Sequence, residues 1–404
     1  MNKQSALKFI ASCALLFTSS VAVMATTGAS AATTKAKTIS CYKFDETGFN
    51  TTGKAISVKG TKCPSTESTK KPVSLSGYTL SVGDPAGASQ LLWNTGNADA
   101  HLPSGFKVKF VNVATGPAAI ATVVGGSTQI ASEAESAYVT NVDSGTPVTG
   151  VWMGRNIVPA SNFQMLTNKA GWAAGITSVA NLPMGSKIAC AFGTESQYVA
   201  YQAVINAKLA PAFFTFVNLA PGNALAALAT GAVQAAVMPQ PNIDIAVLAY
   251  GAHVIADGSG ILDGYTVEVM SNADIRKNDP QEMAAIAEYH YLVSLAGKFW
   301  LQNPDIAIAG LYNTYFAAVP SLANAIGKQG AADLYSTAGT APVPLSKALF
   351  ASFQKEAMFL YNAGVLQNRP NMALAFDARF ASMVPVVQKI YSGVTLNGIA
   401  LPIS

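Results

Sequence analysis

The side chains best suited to binding a charged solute lie in short loops that follow predicted strands. Thr115-Gly116-Pro117 and Gly193-Thr194-Glu195-Ser196 each place small, hydrogen-bonding residues just before a predicted helix. Because the free backbone N–H groups at a helix N-terminus bind anions, both loops are candidate anion sites. Asp84, Glu135 and Glu195 occupy the same kind of position, where a carboxylate is stabilised by the helix dipole or meets an amine. These residues predict a site for a small anion or zwitterion.

Residues that carry covalent or metal chemistry are scattered along the chain. His101, His253 and His290 have no partners at metal-ligand spacing, and the sequence contains no Cys-x-x-Cys motif. It also lacks the Gly-x-Ser-x-Gly elbow of a serine hydrolase. We therefore expect no catalytic residue, no bound metal and no cofactor.

Open α/β sheets bind their ligands beyond the carboxyl ends of the strands, which gives the candidate loops a common location. Five loops have this position in the predicted strand–helix order: Gly83–Ala88, Thr115–Pro117, Ser132–Ser136, Gly193–Tyr198 and Met238–Asn242. The sequence therefore predicts one ligand site assembled from several loops.

Further candidates complete the predicted ligand site. Pro85 and Ala86 come from the first of these loops, and Gln240 comes from the last. Trp152 lies on a predicted strand, where it either forms a wall of the cleft or packs in the core. Arg155 follows on the same strand and either clamps an anion or makes a structural ion pair.

The predicted strand–helix order occurs twice in the chain. The segments YTLSVGD, FKVKFVNV and TQIASEA are predicted strands followed by helices, and SKIACAFG starts a second series. Alternating strands and helices predict parallel sheets, so two series predict two α/β lobes. After Asp279, which is placed as a helix N-cap before Pro280, the sequence is mainly helical.

Composition limits the possible partners. The 404-residue chain has only 11% charged residues and a net charge of +4, with a mean hydropathy of +0.30. Its basic residues form no stripe of the kind that binds nucleic acid, so we expect no nucleic-acid partner. Past residue 31 the sequence has no run of about 18 uncharged apolar residues, so we expect no membrane-spanning segment.

Residues 1–31 have the features of an export signal. Lys3 and Lys8 form a basic start, an apolar segment follows, and Ala29-Ser30-Ala31 supplies a cleavage site. Cleavage after Ala31 predicts a secreted, periplasmic or cell-surface protein. The alternative is a lipoprotein modified at Cys13, which is disfavoured because Cys13 does not close the apolar segment.

Export makes the remaining cysteines interpretable, because disulfides persist in oxidising compartments. Cys41 and Cys63 flank a segment with the Gly, Asn and Thr content of a hairpin, so we predict a disulfide between them. Cys190 lies in an apolar strand and is predicted to be a buried free thiol. Residues 64–75 have the composition of a linker between this hairpin and the lobes.

Residues 78–265 resemble the solute-binding proteins of ABC importers for sulfonates, taurine and nitrate. The segment VNVATGPAAIATVVGGSTQIASEAESAYVTNVDSG is similar to the first lobe of that family and places Glu135 on the family's acid at the tip of the third strand. In the second lobe, Gly193-Thr194-x-x-x-Tyr198 resembles the loop that cradles the ligand's anionic group. The segment NLAPGNALAALATG is similar to the helix-forming motif that follows in the family.

The resemblance implies a type II periplasmic-binding-protein fold, in which two doubly wound α/β lobes enclose a ligand cleft. It implies a small-molecule solute as ligand, with an ABC permease and its ATPase as partners, and we expect a monomer. Gln129 and Gln234 replace acids of the family, and Pro239-Gln240-Pro241 replaces its Trp-Asp/Glu-Pro. The solute therefore stays open between a sulfonate or taurine-like zwitterion, a thiamine-pyrimidine precursor and an aromatic acid. A pyrimidine-synthase-like enzyme on the same fold is the remaining alternative.

These inferences divide the chain into five parts. They are a signal peptide over 1–31, an N-terminal extension over 32–75, the first part of lobe 1 over 76–172, lobe 2 over 173–262, and a return to lobe 1 with the C-terminal helices over 263–404.

Overall fold

Two separate β-sheets organise the chain. The computed structural model describes residues 37–41, 56–64, 71–156, 158–319, 323–337, 340–396 and 399–401. The strands are β1 (Thr38–Cys41), β2 (Ile56–Lys59), β3 (Thr79–Pro85), β4 (Lys107–Val113), β5 (Ile130–Ala134), β6 (Val148–Asn156), β7 (Phe163–Thr167), β8 (Lys187–Cys190), β9 (Thr215–Asn218), β10 (Ala235–Pro239), β11 (His253–Asp257), β12 (Tyr265–Ser271), β13 (Thr340–Pro342), β14 (Thr395–Leu396) and β15 (Ile399–Ala400). The α-helices are α1 (Ala88–Thr95), α2 (Gly116–Val124), α3 (Glu135–Asp143), α4 (Lys169–Ala173), α5 (Glu195–Asn206), α6 (Pro221–Ala229), α7 (Asn242–Tyr250), α8 (Asn272–Lys277), α9 (Pro280–Gln302), α10 (Pro304–Leu311), α11 (Asn324–Thr337), α12 (Lys347–Asn362) and α13 (Val384–Ile390).

The six-stranded sheet has the order β13-β6-β12-β5-β3-β4. Its strands β3, β4 and β5 run parallel, whereas β12 is antiparallel to both of its neighbours, β5 and β6. We call this sheet with its helices lobe 1. The five-stranded sheet, of order β11-β7-β10-β8-β9, has β8, β9 and β10 parallel and forms lobe 2. The predicted fold class, two α/β lobes, is confirmed.

The chain passes between the lobes twice. It leaves lobe 1 between Asn156 and Phe163 and returns between Asp257 and Tyr265. The sequence predicts that lobe 1 extends to residue 172, whereas β7 pairs with β10 and β11 of lobe 2. The last elements of the chain, from β12 onward, complete lobe 1.

Gln129 and Gln234 have equivalent structural roles in the two lobes. The Gln129 side-chain oxygen accepts the backbone N–H of Ser81 at 2.7 Å, and the Gln234 side-chain oxygen accepts that of Lys187 at 2.9 Å. Each glutamine also donates its own backbone N–H to the carbonyl of the same partner residue. Each amide therefore fixes the entry to a central parallel strand, which explains how a neutral side chain replaces an acid at both positions.

Polar side chains cap the N-termini of α2, α5 and α9, as the sequence predicts for Asp279. The Thr115 hydroxyl accepts the N–H of Ala118 at the start of α2, and the Thr194 hydroxyl accepts that of Ser196 at the start of α5. Asp279 accepts the N–H groups of Gln281 and Glu282 at the start of α9. These caps satisfy backbone donors that have no partner within the helix.

The predicted disulfide is confirmed. Cys41 and Cys63 are bonded, and the disulfide links the last residue of β1 to the segment that follows β2; the two strands pair antiparallel. The export signal over residues 1–31 lies outside the described residues and stays a prediction. No helix in the described part of the chain is both long and apolar enough to cross a membrane.

Cys190 is expected to be unreactive in the folded protein. It is free and fully buried on β8, and burial raises the pKa of its thiol to about 12. Since the thiolate is the reactive form, we expect no alkylation of folded residues 32–404 by iodoacetamide at pH 8, and complete modification of their one free thiol in guanidinium chloride. Mass spectrometry distinguishes the two states. Rapid modification of the folded protein would show that the thiol is accessible.

Candidate functional site

A cavity of about 520 Å³ lies between the two lobes. Residues at or just beyond the carboxyl ends of four strands line it: Pro85 and Ala134 after β3 and β5, and Ala191 and Pro239 after β8 and β10. Helices α9, α10 and α11 close the remaining side. The cavity therefore occupies the position in which α/β sheets bind ligands.

The structure brings most of the predicted ligand residues together around this cavity. Nine of them line it: Pro85, Ala86, Thr115, Gly116, Trp152, Thr194, Glu195, Ser196 and Gln240. Six do not: Asp84, Pro117, Glu135, Arg155, Gly193 and Tyr198. The small loop residues of the prediction line the cavity, whereas most of its charged residues do not.

Asp84 is fully buried and serves helix α1. Its two carboxyl oxygens accept the backbone N–H groups of Ser89 and Gln90, at 2.9 and 2.8 Å. Burial raises the pKa of Asp84, and the backbone hydrogen bonds partly offset that effect. The carboxyl group therefore occupies the anion position of the α1 N-terminus itself.

Glu135 and Arg155 are engaged with the chain beside the cavity. The Ser352 hydroxyl oxygen lies within hydrogen-bond distance of a Glu135 oxygen, at 2.8 Å, and of an Asp263 oxygen, at 2.7 Å, and its single hydrogen serves one of them at a time. Arg155 donates its Nε–H to the Asp263 carbonyl at 3.1 Å, and its guanidinium lies over the Tyr265 ring. Arg155 is thus held by structural contacts rather than directed at a solute.

The other three residues outside the lining position the loops. Pro117 lies in the first turn of α2. Gly193 has a φ of +70°, where glycine is favoured, and its N–H donates to the side chain of Gln197. Tyr198 is buried edge-on against Phe359.

Glu195 makes a contact from one lobe to the other. It begins α5 in lobe 2, and its Oε1 accepts the backbone N–H of Ser136, at the start of α3 in lobe 1, at 2.9 Å. Burial raises the pKa of Glu195 to about 7, against the lowering effect of this hydrogen bond. The carboxyl group lines the cavity and occupies the N-terminus of α3 at the same time.

Glu133 lies on β5, one residue before the end of the strand, and lines the cavity. It is only 3% exposed, and both of its carboxyl oxygens are buried without a hydrogen-bond partner among the described residues. Burial, and secondarily the charge of Glu195, raise the pKa of Glu133 well above its ordinary value. Such a group is costly to bury unless something donates to it.

Glu268, on β12, is the third acid in the described lining, after Glu195 and Glu133. Burial raises its pKa to about 8, and its Oε2 lies 3.4 Å from Nδ1 of His290. Burial lowers the pKa of His290 to about 3, so this imidazole is neutral at pH 7 and supplies no positive charge. His290 stacks on Trp152, whose ring forms part of the cavity wall.

Solved structures show which fold carries this arrangement. The alkanesulfonate-binding protein SsuA from Xanthomonas axonopodis pv. citri, bound to MOPS, is similar with a TM-score of 0.64 and 19% identity, over 76% of this chain and 100% of that one. The periplasmic aliphatic sulphonate binding protein SsuA from Escherichia coli is similar with a TM-score of 0.61 and 20% identity, over 74% of this chain and 92% of that one. The chain has the periplasmic-binding-protein fold. The periplasmic nitrate-binding protein NrtA from Synechocystis PCC 6803 is also similar, with a TM-score of 0.57 and 12% identity, over 80% and 92%.

No protein-family profile and no curated protein matches the sequence. The solved structures therefore establish the periplasmic-binding-protein fold and leave the ligand to be inferred from the cavity itself.

Sequence reasoning missed both Glu133 and Glu268. Glu133 lay within the candidate loop Ser132–Ser136, where Glu135 was chosen because it matched the acid of the resembled family. The available signal was the acid itself, placed within a strand that begins with the buried apolar residues Ile130 and Ala131. Glu268 alternates with Val267 and Val269 on β12, which is also the pattern of a solvent-facing strand position.

The C-terminal helices add a wall that no sequence motif indicated. Gly297 and Trp300 on α9, and Leu311 on α10, line the cavity. The Trp300 indole N–H is buried without a hydrogen-bond partner among the described residues. In the periplasmic-binding-protein fold of this chain, lobe 1 therefore contributes both strand ends and late helices to the site.

Proposed function

We propose that the protein is the extracytoplasmic solute-binding protein of an ABC importer. It encloses a small organic solute between its lobes and delivers it to a permease and its ATPase. The observation that carries this proposal is the cavity of about 520 Å³ that both lobes line. That volume falls in the range of small-molecule sites.

Lobe closure is the second part of the proposal. The two crossing segments allow hinge motion, and the hydrogen bond from Ser136 to Glu195 joins the lobes at the cavity. A solute that bridges the lobes stabilises this closed arrangement, because it binds the open one less well. The named solutes of the similar structures, sulfonates and nitrate, support solute binding as the role of this fold.

The solute class from the resemblance is a small organic anion or zwitterion, of sulfonate or taurine type. Thr194 and Ser196 in the lining support the part played by the second-lobe loop. The Glu195 carboxyl beside them favours a solute that carries an amine. A thiamine-pyrimidine precursor or an aromatic acid is the alternative ligand.

An enzyme is the less favoured alternative. A pyrimidine-synthase-like activity needs His and Cys around the cleft, whereas the described cavity lining contains neither. Three or more His, Cys, Asp or Glu side chains placed to hold a metal are not found in the described residues. The similar structures named above are binding proteins.

Location at the cell exterior follows from the predicted signal, and the hairpin of Cys41 and Cys63 is proposed to assist retention near the permease. Deletion of residues 32–74 tests this role. The proposal expects weaker cell association or uptake and unchanged solute binding, and it fails if cell association and uptake both stay the same.

A ligand screen tests the proposed function. Residues 32–404 are assayed by thermal shift against taurine, alkanesulfonates, nitrate, thiamine precursors, aromatic acids and primary amines. A solute at 100 times its Kd adds about 2.7 kcal/mol to the free energy of unfolding, so the correct class gives a clear shift. Small-angle scattering then measures whether the bound protein is more compact. Catalytic turnover of a bound solute would contradict a pure binding role, and no shift with any class would contradict the proposal.

A further inference from the structure

We propose that the cavity selects an organic cation with N–H donors, a primary ammonium group on an apolar body, and that Glu133 is its counter-ion. This inference rests on the proposed solute-binding role. It names the chemical class of the solute and assigns a ligand residue outside the loops of the resembled anion site.

Glu133 is the central observation. Its two buried oxygens have no hydrogen-bond partner in the described structure, although they belong to a side chain in the cavity lining. Gly116 packs closely against the Glu133 side chain: a Cβ built on Gly116 would lie 3.3 Å from the Glu133 Cβ. An ammonium group supplies the hydrogen bonds and the charge that this carboxylate lacks.

The unpaired groups of the lining are mainly acceptors. Besides Glu133, Oε1 of Gln240 is buried without a hydrogen-bond partner among the described residues, and Oε2 of Glu268 has only the 3.4 Å contact to Nδ1 of His290. The one such unpaired donor in the described lining is the indole N–H of Trp300. The described lining residues include no Lys, Arg or His. An anionic solute would therefore enter without a positively charged side chain to pair with it, whereas the N–H groups of a solute would meet several acceptor oxygens.

Helix N-termini near the cavity do not compensate for this lack of basic residues. Asp84 already accepts two N–H groups of α1, and Glu195 accepts the Ser136 N–H of α3. At α2 and α5 the hydroxyls of Thr115 and Thr194 each accept one N–H. The chain's own carboxylates thus occupy two of the positions where an external anion would bind.

The rest of the lining fits an apolar body. Trp152, Trp300, Phe163 and Leu311 contribute large apolar surfaces to the cavity. Aromatic faces also attract a cationic group electrostatically. A primary amine on a hydrocarbon or aromatic skeleton uses both properties of the site.

The charged groups around the two acids determine the pH dependence. Glu195 on α5 faces Glu133 and raises its pKa, while Asp84 on β3 raises that of Glu268. His290 on α9 is neutral, and Glu135 and Glu356 near Glu195 are also buried acids with raised pKa values. A cation therefore binds as a carboxyl group releases its proton, so affinity rises with pH. An anion held by protonated carboxyls would show the reverse.

The test uses two ligands with one skeleton, 2-phenylethylamine and 2-phenylethanesulfonate, supported by benzylamine and butylamine. Isothermal titration of residues 32–404 at pH 6 and pH 8 measures Kd, and two buffers of different ionisation enthalpy count protons. We expect amine binding that tightens roughly tenfold or more at the higher pH, with proton release. We expect no sulfonate binding at either pH.

Variants assign the effect to Glu133. Glu133→Gln should weaken amine binding roughly 100-fold, because an uncompensated ammonium group would be buried. Its unliganded form should gain stability relative to the wild type as the pH rises, because burial favours the neutral form of the wild-type carboxyl and an amide stays neutral. Glu282→Gln is the matched control: Glu282 is also buried with an unpaired oxygen but lies outside the lining, and it should leave Kd unchanged.

The possible failures are distinct. Binding of the sulfonate in preference to the amine overturns the cation inference and leaves the solute-binding role intact. Equal amine binding by Glu133→Gln and wild type overturns the assignment of the counter-ion. If no amine binds while another solute of the screen does, the inference is wrong and the proposed function stands. If nothing in either experiment binds, both are wrong.

Discussion

The unliganded protein should lose several kcal/mol of its free energy of unfolding as the pH rises from about 5.5 to about 8.5. The cause is the group of buried acids at the cleft. Burial raises the pKa of Glu268 to about 8 and of Glu195 to about 7, and raises that of Glu133 well above the ordinary range. The unfolded chain ionises the same side chains near pH 4.3.

The sign of the effect follows from the proton count. Between the unfolded and folded pKa values, each of these carboxyls is protonated in the folded state and ionised in the unfolded state. Raising the pH therefore favours unfolding, by roughly 1 kcal/mol per pH unit for each such group. This contribution is fully present below pH 4 and is lost as the pH passes through the folded pKa values.

Urea unfolding at pH 5.5, 7 and 8.5 measures this dependence. Glu133→Gln and Glu268→Gln should each flatten the curve, since an amide does not ionise. A bound amine should flatten it too, because it stabilises the carboxylate form. Constant stability over this range, or stability that increases with pH, would show that these acids are ionised in the folded protein.

Gly96→Ala should destabilise the protein by about 3 kcal/mol. Gly96 ends α1 where that helix crosses α9, and a Cβ there would lie 2.6 Å from the Cα and 2.7 Å from the carbonyl oxygen of Ala296. Backbone atoms of a long helix cannot move away as a flexible side chain would. The helices must separate, which also disturbs the stack of Trp93 on Tyr289.

Gly222→Ala is the matched control for this substitution. Gly222 lies in α6 with no atom within 4 Å of an added Cβ, so alanine should stabilise that helix by up to about 1 kcal/mol. Urea unfolding of the two variants separates the cost of the close contact at Gly96 from the gain in helix propensity at Gly222. Equal stability of Gly96→Ala and wild type would show that α1 and α9 adjust to the added methyl group.

Most of the fold was predictable because its signals are local. Parallel strands such as β8 are short apolar runs, and caps such as Thr115 and Thr194 sit directly before their helices. The strand β7 was missed because it follows the crossing segment directly, and only a single 3-10 turn, Pro159–Asn162, separates it from β6 in the described residues. Its pairing with β10 and β11 depends on contacts far away in sequence.

The site was predicted less completely, because the direction of a charged side chain depends on tertiary structure. Thr194 and Ser196 could be placed in the cavity lining because the position of a small residue at a helix start depends on the backbone and little on the direction of its side chain. Asp84, however, folds back on α1, and Arg155 is drawn to Tyr265. Glu133 could be found only by a different inference: an acid that follows buried apolar residues on a strand is itself buried.

The order of strands in the first sheet also constrains how the protein assembles. Lobe 2 is a single unbroken stretch of chain, from β7 to β11. Lobe 1 instead receives β12 between β5 and β6 only after that stretch has been made. A chain that emerges from its N-terminus can therefore complete the second lobe while β5 still lacks a neighbour on one edge. Long-range pairing of this kind is slow, so late insertion of β12 is expected to limit the rate of folding.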